Sequence, residues 1–183
     1  MGETRADAVT RVPTSALLVS AAFGAVQALI FVMVVPVTSV LAVSSPPAYA
    51  LVAAVHTAMP LLARVVTRTP GMATFAAFVT GLLTAAISPI GPLALVPLLC
   101  AAVTLDLVLP LRRGVRAGAP RILIAGAAAG VVLFAVALPV FSPEHLVAPV
   151  LIATLAARIA GELAVAAGVV GIRRLLVRAG AVR

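Results

Sequence analysis

The chain has 183 residues, 63% of them hydrophobic and 10% charged, with a mean hydropathy of +1.26, whereas a soluble domain carries roughly 25% charged residues. Water is therefore not its main solvent, and the single cysteine, Cys100, excludes an internal disulfide and a multi-cysteine metal site. The charge excess is all arginine, 13 against 5 acidic residues, and its scatter between apolar runs argues for membrane topology and against nucleic acid.

Residues 1–13 read as a polar cytoplasmic tail, and residues 14–183 as one all-α, polytopic membrane domain. No cleavable leader is expected, because the apolar run after the tail lacks a small-residue cleavage site and is long enough to stay in the bilayer. The apolar runs predict six transmembrane helices at Thr14–Val35, Pro47–Val66, Met72–Ile87, Pro92–Leu109, Arg121–Phe141 and Leu146–Val177. A span needs about 20 helical residues, so the third and fourth are short and the sixth overshoots. Breakers separate them: Pro36, Ser44-Ser45-Pro46-Pro47, Thr69-Pro70-Gly71, Ser88-Pro89-Ile90-Gly91-Pro92, Pro110, Gly118-Ala119-Pro120 and Ser142-Pro143. Pro60, Pro97 and Pro139 fall inside spans and predict kinks or local breaks.

Charge orients the stack. Arg5 and Arg11 lie in the tail, Arg64 and Arg68 near the second connection, Arg112, Arg113, Arg116 and Arg121 near the fourth, and Arg173, Arg174, Arg178 and Arg183 at the C-terminus. All fall on one side of a six-span stack, which places both termini in the cytoplasm and the chain in the inner (plasma) membrane. The same arrangement suits binding of anionic membrane lipids.

Small residues recur at intervals of four, as close helix approach within a bilayer requires. The first span has Ala16, Ser20, Gly24 and Ala28, the third Ala73, Ala77, Gly81 and Ala85, the fifth Gly126 and Gly130, and the sixth Ala156, Ala160, Ala164 and Gly168. Each reads as a packing face within the chain or, alternatively, toward a partner.

Charged groups in a span cost about 2.5–3.5 kcal/mol each on insertion scales, so each calls for an explanation. Arg158 and Glu162 are four residues apart on one helical face, where they either neutralise each other or serve a pocket or partner. Gln27, Tyr49 and His56 sit where they can line an outward-facing pocket, though His56 also suits an interhelical hydrogen bond. Asp106, near the end of its span, reads as a boundary salt bridge with Arg112 and Arg113. A phosphate-binding glycine loop ending in Lys, a paired-His metal motif and a Gly-x-Ser-x-Gly elbow are all absent from the sequence. An enzyme, a resident metal and ATP hydrolysis by this chain are therefore not expected.

The segment Ala63-Arg64-Val65-Val66-Thr67-Arg68-Thr69-Pro70-Gly71-Met72-Ala73 resembles the basic residue followed by Pro-Gly-Ala of YkoE-type substrate-binding subunits of energy-coupling-factor importers. Thr80-Gly81-Leu82-Leu83 to Ser88-Pro89-Ile90-Gly91 is similar to that family's helix and short outer loop. Ala157-Arg158-Ile159-Ala160-Gly161, Gly168 and Leu176-Val177-Arg178-Ala179-Gly180 are similar to its last helix and tail. The resemblance implies a small-molecule capture subunit with a pocket open to the outside. It would hydrolyse no ATP and would work with a coupling transmembrane subunit and two ATP-binding subunits. It further implies a thiamine or hydroxymethylpyrimidine cargo; the polar groups of the spans, Gln27, Tyr49, His56, Arg158 and Glu162, are the candidate substrate-binding set. Ala16, Ser20, Gly24 and Ala28 would form the face that docks the coupling subunit. The chain departs from the family in having no Trp, a single Tyr and Pro89-Ile90 where an aromatic is common, and in placing Glu162 where a small or apolar residue is usual. A non-catalytic scaffold of the MreD kind and a self-contained small transporter are the alternatives. A filled interior would favour the scaffold.

Overall fold

The computed structural model describes residues 12–87 and 91–180. The tail arginines Arg5 and Arg11, the outer-loop residues Ser88, Pro89 and Ile90, and Arg183 lie outside the described residues. The described chain is all helical: α1 Thr14–Ser44, α2 Pro46–Thr67, α3 Met72–Ile87, α4 Gly91–Val108, α5 Ala119–Ala137 and α6 Ala148–Arg178. By length and composition, α1, α2, α5 with the 3₁₀ turn that follows it, and α6 can cross a membrane, while α3 and α4 are shorter apolar helices. At 1.5 Å per residue the 16 residues of α3 span about 24 Å, less than the roughly 30 Å hydrocarbon layer.

Proline shapes two of these helices differently. The sequence predicts an end at Pro36, yet α1 runs through it to Ser44. Pro36 has no N–H for the carbonyl one turn before it. The Thr38 hydroxyl donates back into the turn before it, 3.3 Å from Val34 O and 3.1 Å from Val35 O, and not to the Val32 carbonyl that Pro36 leaves without a donor. The continuation carries Thr38 and Ser39 into the far half of the bundle. Pro60, in contrast, does break α2 as expected: the chain tightens to 3₁₀ over Ala54–Thr57 before α-helix resumes at Ala58. Pro97 stays inside a continuous α4, and Pro139 falls in the 3₁₀ turn Leu138–Val140 that ends α5.

Most sequence neighbours pack together, and two further contacts, α1 with α3 and α2 with α6, skip along the chain. α1 packs on α3, α3 on α4, α4 on α5, α5 on α6, and α6 returns to α2, which rests on α1. The six therefore close a ring. One half of its interior is filled by Leu61, Leu62, Val65, Ala77, Leu105, Ile122, Ala125 and Val169. That half carries the arginines, and loops are tied to it: Gly114 N–H donates to Arg68 C=O at 3.0 Å, Arg121 Nε to Val108 C=O at 2.7 Å, and Arg173 to Ala117 C=O. Arg68 itself closes α2 in the left-handed region, at φ 50°.

Asp106 does not pair with Arg112 or Arg113, which lie beyond Pro110 on the exposed connection. Its Oδ1 is 2.9 Å from Arg64 Nε, and its Oδ2 accepts from the Thr74 amide at 2.9 Å and the Thr74 hydroxyl at 2.8 Å. The reason is geometric. Asp106 lies in the last turn of α4, level with the first turn of α3, whose amides have no intrahelical acceptor, and with the last turn of α2.

The small-residue ridge of α1 faces inward. Ala16, Ser20, Gly24 and Ala28 are all buried, and a Cβ placed on Gly24 would lie 2.6 Å from Ala76 O and 2.9 Å from Val79 Cβ of α3. The Thr80 hydroxyl also donates to Gly24 C=O at 2.9 Å. The face assigned to a partner by the sequence is thus the α1–α3 contact. Gly126 and Gly130 of α5 likewise admit α6, and Gly161 of α6 admits α2. The ridge of α6 differs: Ala156, Ala160, Ala164 and Gly168 are exposed, and a Cβ on Gly168 would meet nothing within 4 Å.

Candidate functional site

The half of the ring away from the arginines holds a cavity of about 490 Å³ bounded by α1, α2, α4, α5 and α6. Two features of the fold open it. The 3₁₀ break in α2 lies at its wall, and the extension of α1 beyond Pro36 adds Thr38 and Ser39. Its lining is sharply divided. α4 and α5 contribute aliphatic side chains such as Leu98, Leu105, Leu133 and Val136, whereas α2 and α6 contribute Tyr49, His56, Thr57 and Arg158.

Among the described residues of that lining, Arg158 is the only charged group. Its guanidinium carbon sits 5.6 Å from the Tyr49 ring centroid, a cation–π distance that stabilises a desolvated cation by about 1–2 kcal/mol. The residue is 4% exposed. Among the described residues the ion pair that closes within 4 Å is Arg64–Asp106; Arg158 and Glu162 do not close one. Glu162 reaches instead across to α2. Thr57 Oγ1 lies 2.5 Å from Glu162 Oε2 and 2.9 Å from Ala54 O, sharing its proton between them. Glu162 Oε1 is buried without a hydrogen-bond partner among the described residues. Gly130 of α5 leaves the room this carboxylate occupies, since a Cβ there would be 3.3 Å from Glu162 Cγ.

His56 makes an aromatic contact rather than the interhelical hydrogen bond expected of it. Its ring tilts at 44° to Phe31 with centroids 4.8 Å apart, and Nδ1 is buried without a hydrogen-bond partner among the described residues. Gln27 is fully buried, and its Oε1 accepts from Met59 N–H at 3.2 Å. That bond supplies an acceptor in the turn where α2 resumes after its 3₁₀ break.

Of the five residues proposed from sequence, then, Tyr49, His56 and Arg158 line the cavity together. Gln27 and Glu162 do not. They brace α2 from either side, and Glu162 touches the cavity only through Thr57. Sequence reasoning missed Thr57, Thr38, Ser39 and Phe31. Thr57 adjoins His56 on the same break, and Phe31 lies one turn beyond Gln27; a search for polar and aromatic residues within one turn of each intramembrane polar group finds both.

The donor set is suited to an organic molecule with hydrogen-bond acceptors and an apolar or flat body: one guanidinium, one imidazole, one phenol and several hydroxyls. Among the described residues no three His, Cys, Asp or Glu side chains come together.

The sequence matches the family model of the permease component of ABC-type cobalt transport systems over residues 15–132. The chain belongs to this family. It is accordingly a multi-pass membrane component of an ABC-type transport system, a role that implies partner ATPase and membrane subunits. Curated proteins and solved structures give no match. The stretch shared with the ABC cobalt permease family runs from α1 into α5, taking in Tyr49 and His56 and stopping before Arg158 and Glu162.

Proposed function

We propose that this chain is the substrate-capture subunit of an energy-coupling-factor importer, and that its cargo is a small organic molecule of the vitamin or vitamin-precursor class. By resemblance, thiamine and hydroxymethylpyrimidine are the first candidates, and of the two the neutral pyrimidine is the better suited to a cavity lined by Arg158, which repels the thiazolium cation of thiamine. The observation that carries the reading is the cavity itself, with Arg158 held over Tyr49 beside His56 on one wall and aliphatic side chains on the other. A largely apolar cavity with a few polar groups gathered on one wall is what a scaffold has no use for, and it lies opposite the basic end, as capture from outside requires. Cobalt, the cargo in the family's description, is poorly served here. A bare dication about 5 Å from Arg158 would meet a repulsion of about 7 kcal/mol at an effective dielectric of 20, with one imidazole to offset it. The ATP is hydrolysed by partner subunits, since the chain has no nucleotide-binding loop.

Calorimetry on the purified chain, with thiamine, hydroxymethylpyrimidine and Co²⁺ as probes, tests this. An organic probe is expected to bind, and Arg158→Gln is expected to weaken it about 10- to 100-fold, the range of a lost charged hydrogen bond, at near-unchanged melting temperature. Tyr49→Leu should weaken it less. Tight Co²⁺ binding that survives Arg158→Gln would overturn the proposal. ATP-binding subunits should accompany the chain through pull-down in mild detergent.

The orientation has its own check. In a Cys100→Ala background, Arg116→Cys is expected to resist an impermeant maleimide in intact cells and to react once the membrane is opened. Strong labelling of intact cells would invert the topology.

A further inference from the structure

The basic end carries a second concavity that cargo capture does not use. Arg116 of the α4–α5 connection and Arg173, Arg174, Val177 and Arg178 of the last turns of α6 line a cleft of about 280 Å³. Its walls are fixed rather than loose: Arg173 holds the Ala117 carbonyl, and Gly114 N–H is bonded to Arg68 C=O. Charge at this end is concentrated. Partial burial, and then the fields of Arg116 and Arg173, hold the Arg68 guanidinium below its ordinary value.

The described carboxylates do not relieve it. Asp106 is engaged by Arg64 and Thr74, Glu162 lies in the span against Thr57, and Glu144 sits in the connection at the opposite end. Four guanidiniums around one cleft present the forked donors that match phosphate oxygens. The apolar surroundings narrow the source of that phosphate. Ile172, Leu175 and Val177 on α6, and Leu111 and Val115 on the connection, are exposed among these arginines. A free anion has no use for them, while a lipid can lay its acyl chains there at the depth where a headgroup sits.

We propose that this cleft binds the phosphodiester headgroup of an anionic phospholipid, held by Arg116, Arg174 and Arg178 with the lipid chains against Ile172 and Leu175. The site would fix the basic end of α6 and the α4–α5 connection at the membrane surface. The inference does not depend on the identity of the cargo.

The test uses the full chain in nonionic detergent, with native mass spectrometry and thermal melting after addition of phosphatidylglycerol, phosphatidylcholine or inorganic phosphate. Phosphatidylglycerol is expected to remain as a one-to-one adduct and raise the melting temperature, and phosphatidylcholine to do neither. The variant R116Q/R174Q/R178Q, all at exposed positions, should bind phosphatidylglycerol at least 10-fold more weakly, while R112Q, outside the cleft, should bind as the unaltered chain does. Equal retention of both lipids by the unaltered chain, or undiminished phosphatidylglycerol binding by the triple variant, would overturn the proposal. So would displacement of the lipid by millimolar inorganic phosphate, which would make the site one for a free anion.

Discussion

Replacing Gly24 by Leu is expected to prevent α1 from seating on α3, leaving little folded protein after detergent extraction. A Cβ at this position would fall 2.6 Å from a backbone oxygen of α3, and a backbone atom cannot rotate aside as a side chain can. The cost should therefore exceed the roughly 1–3 kcal/mol typical of an overpacked core. The displaced helix would also lose the Thr80 hydroxyl bond to Gly24 C=O. Against a net stability of roughly 5–15 kcal/mol for a folded domain, that is a large fraction. Gly168→Leu is the matched control, because its Cβ would enter open space; it should extract and melt as the unaltered chain does. Monodispersity on size exclusion reads both. A Gly24→Leu protein that is folded and monodisperse would show that α1 does not rest on α3 through this ridge.

That contrast marks what spacing alone can convey. The intervals of four in α1 and α6 look alike on paper, and both promised close packing. One ridge meets a neighbouring backbone, while the other faces outward. The difference lies in helix rotation, which depends on the order of helices around the ring, and that order places α3 beside α1 and α2 beside α6 across long sequence gaps. The number of helices and most of their ends were legible, because apolar run length and proline punctuation act locally. The end at Pro36 was misread for a local reason as well. A proline inside a membrane helix leaves one carbonyl bare without forcing the helix to end, and α1 continues through Pro36 to Ser44.

The site shows the same limit. Depth in the span drew attention to Arg158 and His56, since a polar group at mid-span must face inward, and the structure puts both on one cavity wall with Tyr49. Depth says nothing about which inward neighbour a group meets. Arg158 and Glu162 share a helical face by spacing, yet Tyr49 offers the guanidinium an aromatic surface and Thr57 offers the carboxylate a donor. Both come from α2, where the 3₁₀ break sets their register.

Removing one partner of the Arg64–Asp106 pair is expected to cost about 3–5 kcal/mol, because it strands a charge at a site where both side chains are nearly inaccessible. For a chain of this size that corresponds to a fall in melting temperature on the order of 10 °C. Asp106→Asn keeps an oxygen for the Thr74 amide and hydroxyl, so it isolates the lost charge; Arg64→Met leaves Asp106 ionised with Thr74 alone to hold it. Combining Arg64→Met with Asp106→Asn removes both charges and retains the Thr74 bonds. The double variant should be more stable than either single one, short of the original by about 1–2 kcal/mol for the guanidinium bond to Pro110 C=O. If the two losses simply add, the residues are not coupled and the pair is incidental to the fold. Cargo affinity separates stability from function. The pair lies in the filled half of the ring, away from the cavity, so the fraction of the double variant that folds should bind cargo as tightly as the unaltered chain.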